Sequence, residues 1–301
     1  MTKGSWRSPA LAVLGAFAFS NTLLWGRAGQ RAGAGLPAML TIRFALTGAL
    51  LLGVLALLRR PLLPAPGERA TVFGLGVIAY GFESVFFFQA LQHGSTSIVV
   101  LLFYTHVVVV AVCEVLLGAL RPTLRIVAAV LVSILGGAIV ALASGGDVDI
   151  EPLGLFYVFS CAALYSSYIV ASARVVRNTE PLTSAAWVAI GASFGVAVWG
   201  VGRGDFGAMP GDAVLPTFAF AVATAAAFTL WFTVVGSLGS ARTSIIMMLE
   251  APFGIALTAI AFDDPLSVQV VTGGLFVLGA ALLASLDMPI ESERLEAATS
   301  P

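Results

Sequence analysis

The chain has one lysine, Lys3, among its 301 residues, and only two histidines and two cysteines. Each scarcity excludes a chemistry. A Walker loop needs Gly-Lys-Ser/Thr to hold phosphates, so ATP-driven work by this chain is excluded, and so is a retinal-type Schiff base. His93 and His106 are too few to build a zinc centre. Cys113 and Cys161 lie inside apolar runs, where cysteine behaves as a small hydrophobe. No disulfide, metal or cofactor is therefore expected. No nucleophile elbow, zinc spacing or paired acidic metal motif occurs, so no catalytic residue is assigned and an enzyme is the weaker class. A net charge of −1 without a basic, aromatic-spaced patch argues against nucleic acid.

Charge of either sign is also scarce. Only 10% of the residues are charged and 59% are hydrophobic, where a soluble globular chain carries about 25% charged residues. With mean hydropathy at +1.00, the chain cannot cover its own surface in water, and its solvent is a lipid bilayer. A bilayer core takes about 20 mostly apolar residues per helix. That ruler gives ten spans, roughly 9–26, 36–58, 70–92, 95–118, 123–143, 152–172, 183–201, 215–236, 241–262 and 268–286. Pro9, Pro37, Pro122, Pro152 and Pro216 open spans, where a first-turn proline costs no hydrogen bond. Pro181 and Pro210 fall in connections, and Pro252 alone lies well inside a span. No small-residue cleavage site follows the first run, so it is expected to be a retained helix.

Basic residues set the orientation. With the N-terminus inside, the cytoplasmic segments hold eleven Lys or Arg and the opposite side only Arg27, Arg31 and Arg203; Arg43 lies within span 2. Both termini are expected in the cytoplasm, with the acidic connection "GGDVDIEP" and the Asp263–Asp264 pair outside.

"TSIVVLLFYTH" at 96 and "TSIIMMLEAPF" at 243 align without gaps at an offset of 147 residues, and "LGGAIVALAS" (135–144) resembles "LGAALLAS" (278–285). The chain therefore divides into two five-helix halves, 1–145 and 146–290, followed by an acidic tail, 291–301, that is expected to be disordered. Because five is odd, the second half enters from the opposite face. The expected fold is all-α, ten transmembrane helices as two inverted repeats, an architecture that puts a transporter's site near the midplane. Glu250 then corresponds to Phe103, and Pro252 to Thr105.

With its ten helices in a five-plus-five duplication, the chain resembles the drug/metabolite transporter superfamily, in the branch built from EamA-type repeats. "LEAPFG" (249–254) is similar to that branch's Glu-Pro element in the ninth helix, and "FSNTLLWG" (19–26) to its small-polar-Trp-Gly first helix. "GALRPTLRIVAAVLVSILGGAIVAL" (118–142) is similar to its junction of helices four and five. Within the branch, the resemblance is to inner-membrane amino-acid exporters of the YddG type. It implies a secondary transporter exporting aromatic and other neutral amino acids by alternating access; separately, the chain is expected to be a monomer. A drug or metabolite exporter, a channel and a non-transporting membrane protein remain open. One departure stands out: Thr105-His106 occupies the place where relatives carry a proline, which leaves the bend of the fourth helix open.

Ionisable groups inside a bilayer are expensive and mark functional sites. Arg43, Glu83, His106, Glu114 and Glu250 lie within spans. Glu114 lies near a helix end and is expected to snorkel to the interface. Arg43 and Glu83 are candidates for an ion pair between helices 2 and 3, or for a role facing a cavity. Glu250 is a candidate proton carrier, since a buried carboxyl is costly to charge; the alternative is a kink-stabilising bond to a carbonyl freed by Pro252. His106 is the other deep titratable group. Trp25, Trp187 and Trp199 sit at helix ends as belt residues. The expected substrate site combines Asn21, Tyr80, Glu83, Tyr104, His106, Tyr165, Ser166, Trp231 and Glu250, an aromatic and small-polar lining that suits an amphipathic metabolite. "GASFG" (191–195) and the paired glycines 136–137 and 273–274 are expected to pack helices within one chain.

Overall fold

The computed structural model describes residues 7–94, 99, 102–120, 122–143, 150–176, 178–262 and 268–286. The first copy of the Thr-Ser-Ile tripeptide, residues 144–149 of the acidic connection, the Asp263–Asp264 pair and the tail 291–301 lie outside the described residues. The helices are α1 (Arg7–Arg31), α2 (Leu36–Leu57), α3 (Arg69–Gly74), a π-helical stretch (Leu75–Gly81), α4 (Phe82–Gln92), α5 (Thr105–Leu116), α6 (Leu124–Ala143), α7 (Pro152–Val175), α8 (Pro181–Arg203), α9 (Gly211–Leu238), α10 (Ser240–Met247), α11 (Glu250–Phe262) and α12 (Val268–Leu286). They make ten crossings: α3, the π stretch and α4 form the third, and α10 with α11 the ninth. Among the described residues, seven helices are long and apolar enough to span a membrane, and three shorter apolar ones complete the set.

Many large aliphatic side chains face outward, while small residues fill much of the interior around buried rings such as Phe44, Tyr168, Phe228 and Trp231. Leu57, Leu124, Leu215, Ile260 and Val268 are exposed, whereas the interior is rich in Ala, Gly, Ser and Thr. That inversion follows from the solvent: lipid tails are as apolar as leucine, so helices associate through close contact at small residues. Gly191 and Gly195 of α8 press on the backbone of the π stretch, where a methyl group on Gly191 would meet the Phe73 carbonyl and the Gly76 Cα. Gly136 of α6 packs against the Gly273 carbonyl of α12. These glycines work within the chain. Gly191→Ala is expected to destabilise the protein by about 1–3 kcal/mol through overpacking against backbone. Gly53→Ala, with open space at its Cβ, should gain up to about 1 kcal/mol of helix propensity. Opposite shifts in detergent melting temperature check the pair.

The packing is unchanged when the two halves are exchanged. The second crossing packs on the seventh and the fifth on the tenth. The first packs on the eighth and ninth, as the sixth packs on the third and fourth. This is the pseudo-two-fold arrangement of an inverted repeat.

Four local features differ from the sequence expectation. The third crossing contains the π stretch, a one-residue excess that bulges the helix where Gly76 and Gly81 meet α8. Helix α9 begins at Gly211 rather than near 215, so Pro216 lies inside it, and the Asp212 residue whose carbonyl loses its partner is exposed. Pro181 opens α8 instead of lying in a connection. Glu114 does not snorkel: it is 6% exposed, accepts a hydrogen bond from Ser240 Oγ at 2.7 Å, and lies 3.8 Å from Arg174 Nη2. A carboxylate that finds donors on two other helices has no reason to reach for the interface.

The connections are tied at both ends of the bundle. At the end carrying Arg59 and Arg60, the Glu68 carboxylate accepts bonds from the backbone N–H and side chain of both Asn178 and Thr179, at 2.5–3.0 Å. At the opposite end the corresponding tie is backbone to backbone. Gly35 N–H donates to Ala208 O at 2.8 Å and Ala38 N–H to Phe206 O at 3.0 Å. Gly35 and Gly207 touch so closely that neither can carry a Cβ.

Candidate functional site

The two fourth helices of the repeats are both interrupted near mid-span. In the ninth crossing α10 ends at Met247, and Met248 N–H is shared between Ser244 O and Ile245 O at 3.3 Å each. Helix α11 then starts at Glu250, which puts Pro252 in a first turn, where its missing N–H costs nothing. The fourth crossing breaks without a proline, at Tyr104, and resumes as α5. There Thr105 Oγ1 donates to Leu102 O at 2.7 Å and His106 Nδ1 to Phe103 O at 2.8 Å. These side chains take up carbonyls at the break, which is how the departure at Thr105-His106 still gives an interrupted helix.

Between the two interruptions lies a cavity of about 110 Å³. Phe87, Phe103, Tyr104, Tyr165 and Trp231 supply aromatic walls; Leu23, Ile169, Met247 and Met248 supply aliphatic and thioether surface. His106, Ser244 and Glu250 are its polar members besides the ring heteroatoms. The repeat-related pair Phe103 and Glu250 thus meets in one space. The rings form a connected wall: Phe103 lies 4.7 Å from His106 and 5.4 Å from Tyr165, and His106 sits edge-on to Tyr165 at 4.9 Å. Tyr165 stacks on Tyr168 at 6.2 Å and Tyr168 on Trp231 at 6.4 Å.

Polar satisfaction is uneven. Ser244 Oγ donates to Ala241 O, and His106 Nδ1 serves the break, leaving Nε2 as its other polar atom. Trp231 is 1% exposed, and its Nε1 has no hydrogen-bond partner among the described residues. Glu250 likewise makes no hydrogen bond among the described residues; the bond to a proline-freed carbonyl, expected as an alternative, does not form. A carboxylate and an indole N–H without partners, both lining one apolar cavity, are the groups a ligand would satisfy.

Of the residues expected at the site, Tyr104, His106, Tyr165, Trp231 and Glu250 line the cavity. Asn21, Tyr80, Glu83 and Ser166 do not. Asn21 Nδ2 donates to Phe17 O on its own helix, and Ser166 Oγ to Ala162 O and His106 O. Tyr80 stands behind the wall, 5.2 Å from the Tyr168 ring and 4.9 Å from Phe228. Glu83 is held by Ser84 Oγ at 3.1 Å and Cys161 Sγ at 3.6 Å. Arg43 bonds Thr224 Oγ1 at 2.8 Å, engages the Tyr80 hydroxyl, and lies over the Phe220 and Phe44 rings. The expected direct Arg43–Glu83 ion pair is absent among the described residues; the two groups act on each other, and on Glu250, through space. Leu23, Phe87, Phe103, Ile169, Ser244, Met247 and Met248 were not anticipated. Two signals could have found some of them: Met247-Met248 immediately precede the Glu-Pro element, and Phe103 is the repeat partner of Glu250.

Ten apolar crossings in two inverted halves, enclosing a small cavity at paired helix breaks, define a multi-pass membrane protein of the small-molecule transporter class. The chain belongs to the EamA-like transporter family, whose pattern matches residues 6–142 and again 152–286. No curated protein matches the chain. Solved structures share the fold: 29 chains match. One, described only as the crystal structure of a protein, superposes with a TM-score of 0.78 at 21% identity, over 96% of this chain and 99% of that one. At that identity the likeness shows the fold alone.

Proposed function

We propose that this chain is a secondary transporter that exports amino acids, aromatic and other neutral ones, across the bacterial inner membrane. In this reading the halves 1–145 and 146–290 rock about the cavity in a monomer, with 291–301 as a tail and both termini cytoplasmic. The observation that carries it is the unpartnered Glu250 carboxyl in an aromatic cavity. An amino acid's ammonium would meet Glu250 and the faces of the surrounding rings. Its carboxylate would take the free Trp231 Nε1–H and the N-terminus of α11, as half-helix ends do in other inverted-repeat transporters. A neutral side chain fits the Met247, Met248 and Ile169 surface. The eleven-to-three excess of basic residues supports the orientation, which a cysteine-accessibility map would overturn by placing 145–151 in the cytoplasm.

The mostly apolar lining favours one other reading, export of hydrophobic drugs or metabolites, and the same experiment separates the two. Purified protein in liposomes should accumulate labelled leucine and tryptophan above protein-free vesicles. Flux of apolar drugs with none for any amino acid, by correctly folded protein, replaces the amino-acid reading with the second.

A further inference from the structure

A second cavity, of about 230 Å³, opens at the end of the bundle opposite Arg59 and Arg60. Its floor is apolar, formed by Leu40 and Val85, and it sits one helical turn beyond Arg43 on α2 and two residues from Glu83 on the third crossing. Its rim is polar and carries both signs: Arg203, Asp205, Gln89 and Gln92 line it beside Trp199. The two charges are two residues apart but do not pair. Gly204 between them adopts the left-handed conformation that caps α8, with its N–H on Val201 O and the Asp205 N–H on Gly200 O. That cap sets the directions of the side chains on either side of it. The backbone tie of 206–208 to the start of α2 then holds the wall in place.

Among the described residues, Arg203 touches only the Trp199 ring, 5.5 Å away, and Asp205, Gln89 and Gln92 have no hydrogen-bond or ion-pair partner. A cation, an anion, two carboxamides and an indole line one concavity that is open to solvent, with Arg203, Asp205 and Gln92 exposed. A monoanion would leave Asp205 facing it, and a monocation would face Arg203. A molecule carrying both charges satisfies both.

We propose that this pocket is a second binding site, distinct from the central cavity, that takes small zwitterions, namely free amino acids. Arg203 receives the carboxylate, Asp205 the ammonium, and Gln89 and Gln92 the remaining polar atoms. The inference rests on the charges of this pocket and goes beyond the reading of the central site.

The test uses the full-length protein in nanodiscs with Leu36→Cys, a half-buried wall position that carries no polar group of the site. The rate of its modification by a small methanethiosulfonate is measured against the parent protein, which reports Cys113 and Cys161. L-Serine is expected to slow the reaction. Serine methyl ester and N-acetylserine, which carry one charge each, should need at least tenfold higher concentration for the same protection. Arg203→Gln or Asp205→Asn, added singly, should raise the protecting serine concentration at least tenfold. No protection by serine overturns the proposal, as does protection that ignores both substitutions. Equal protection by N-acetylserine overturns it in favour of a plain anion site. The readout reports position 36 alone, so failure of amino-acid flux through the central cavity would leave it unchanged, and its own failure would leave the flux reading standing.

Discussion

Glu250→Gln is expected to cut amino-acid flux in proteoliposomes at least tenfold while leaving the melting temperature within a few degrees of the parent. The flux expectation follows from what the carboxylate would offer an ammonium. A hydrogen bond to a charged group contributes about 1.5–3 kcal/mol net, and each 1.4 kcal/mol is tenfold in affinity. The stability expectation follows from geometry: Glu250 makes no hydrogen bond among the described residues, so glutamine removes none. The two readouts together separate a substrate-binding carboxyl from one that only supports the helix break. A second measurement addresses coupling. An ionised carboxyl without donors in an apolar cavity is costly, so the site is satisfied by a proton or by a bound cation, and exchanging one for the other would couple flux to a pH gradient. The parent should respond to an imposed gradient and Glu250→Gln should not. A variant that transports at the parent rate removes Glu250 from the site; one that loses rate but keeps the gradient response removes it from coupling only.

The largest stability effect is expected at Glu68, far from the cavity. Its carboxylate is 7% exposed and ties the α2–α3 connection to the α7–α8 connection through both residues 178 and 179. Alanine removes the acceptor and leaves the backbone N–H groups of Asn178 and Thr179 without it. Thr179 is buried, and each of its stranded donors costs about 1–3 kcal/mol, whereas Asn178 is exposed and its freed donors can turn to water. Because the bonds share one carboxylate they are not additive, and a total of about 3–5 kcal/mol is expected. Gel-filtration yield and the thermal midpoint in detergent measure it. Glu68→Gln, which keeps an acceptor oxygen, should recover part of the loss. A Glu68→Ala protein as stable as the parent would mean that the two connections are held by other contacts. The tie at the opposite end uses backbone groups, so no single side-chain truncation can cut it.

How far the sequence anticipated the site depended on the kind of signal. Glu250 and Trp231 were legible because a carboxylate or an indole deep in an apolar helix is conspicuous against its surroundings. Asn21 and Ser166 looked equivalent by the same criterion, yet their side chains bond carbonyls of their own helices. A polar side chain on a transmembrane helix always has that local option, and depth along the helix does not reveal which it takes. Glu114 was misjudged for a related reason. Distance to the helix end suggested snorkelling, but Ser240 and Arg174 come from elements 60 or more residues away in the chain.

The sequence by itself determined the solvent, the ten crossings and the inverted duplication, because these depend on summed hydrophobicity, on length against bilayer thickness and on an odd repeat. It also marked the Glu-Pro element as the point where the two halves part. The tertiary structure alone decided that the fourth crossing breaks without a proline, that Phe103 and Glu250 face one cavity, and that Arg203 and Asp205 share another. Those outcomes depend on the rotation of each helix about its axis. Rotation is set by which small residues let two backbones touch, and in a chain this rich in glycine and alanine many faces offer that contact.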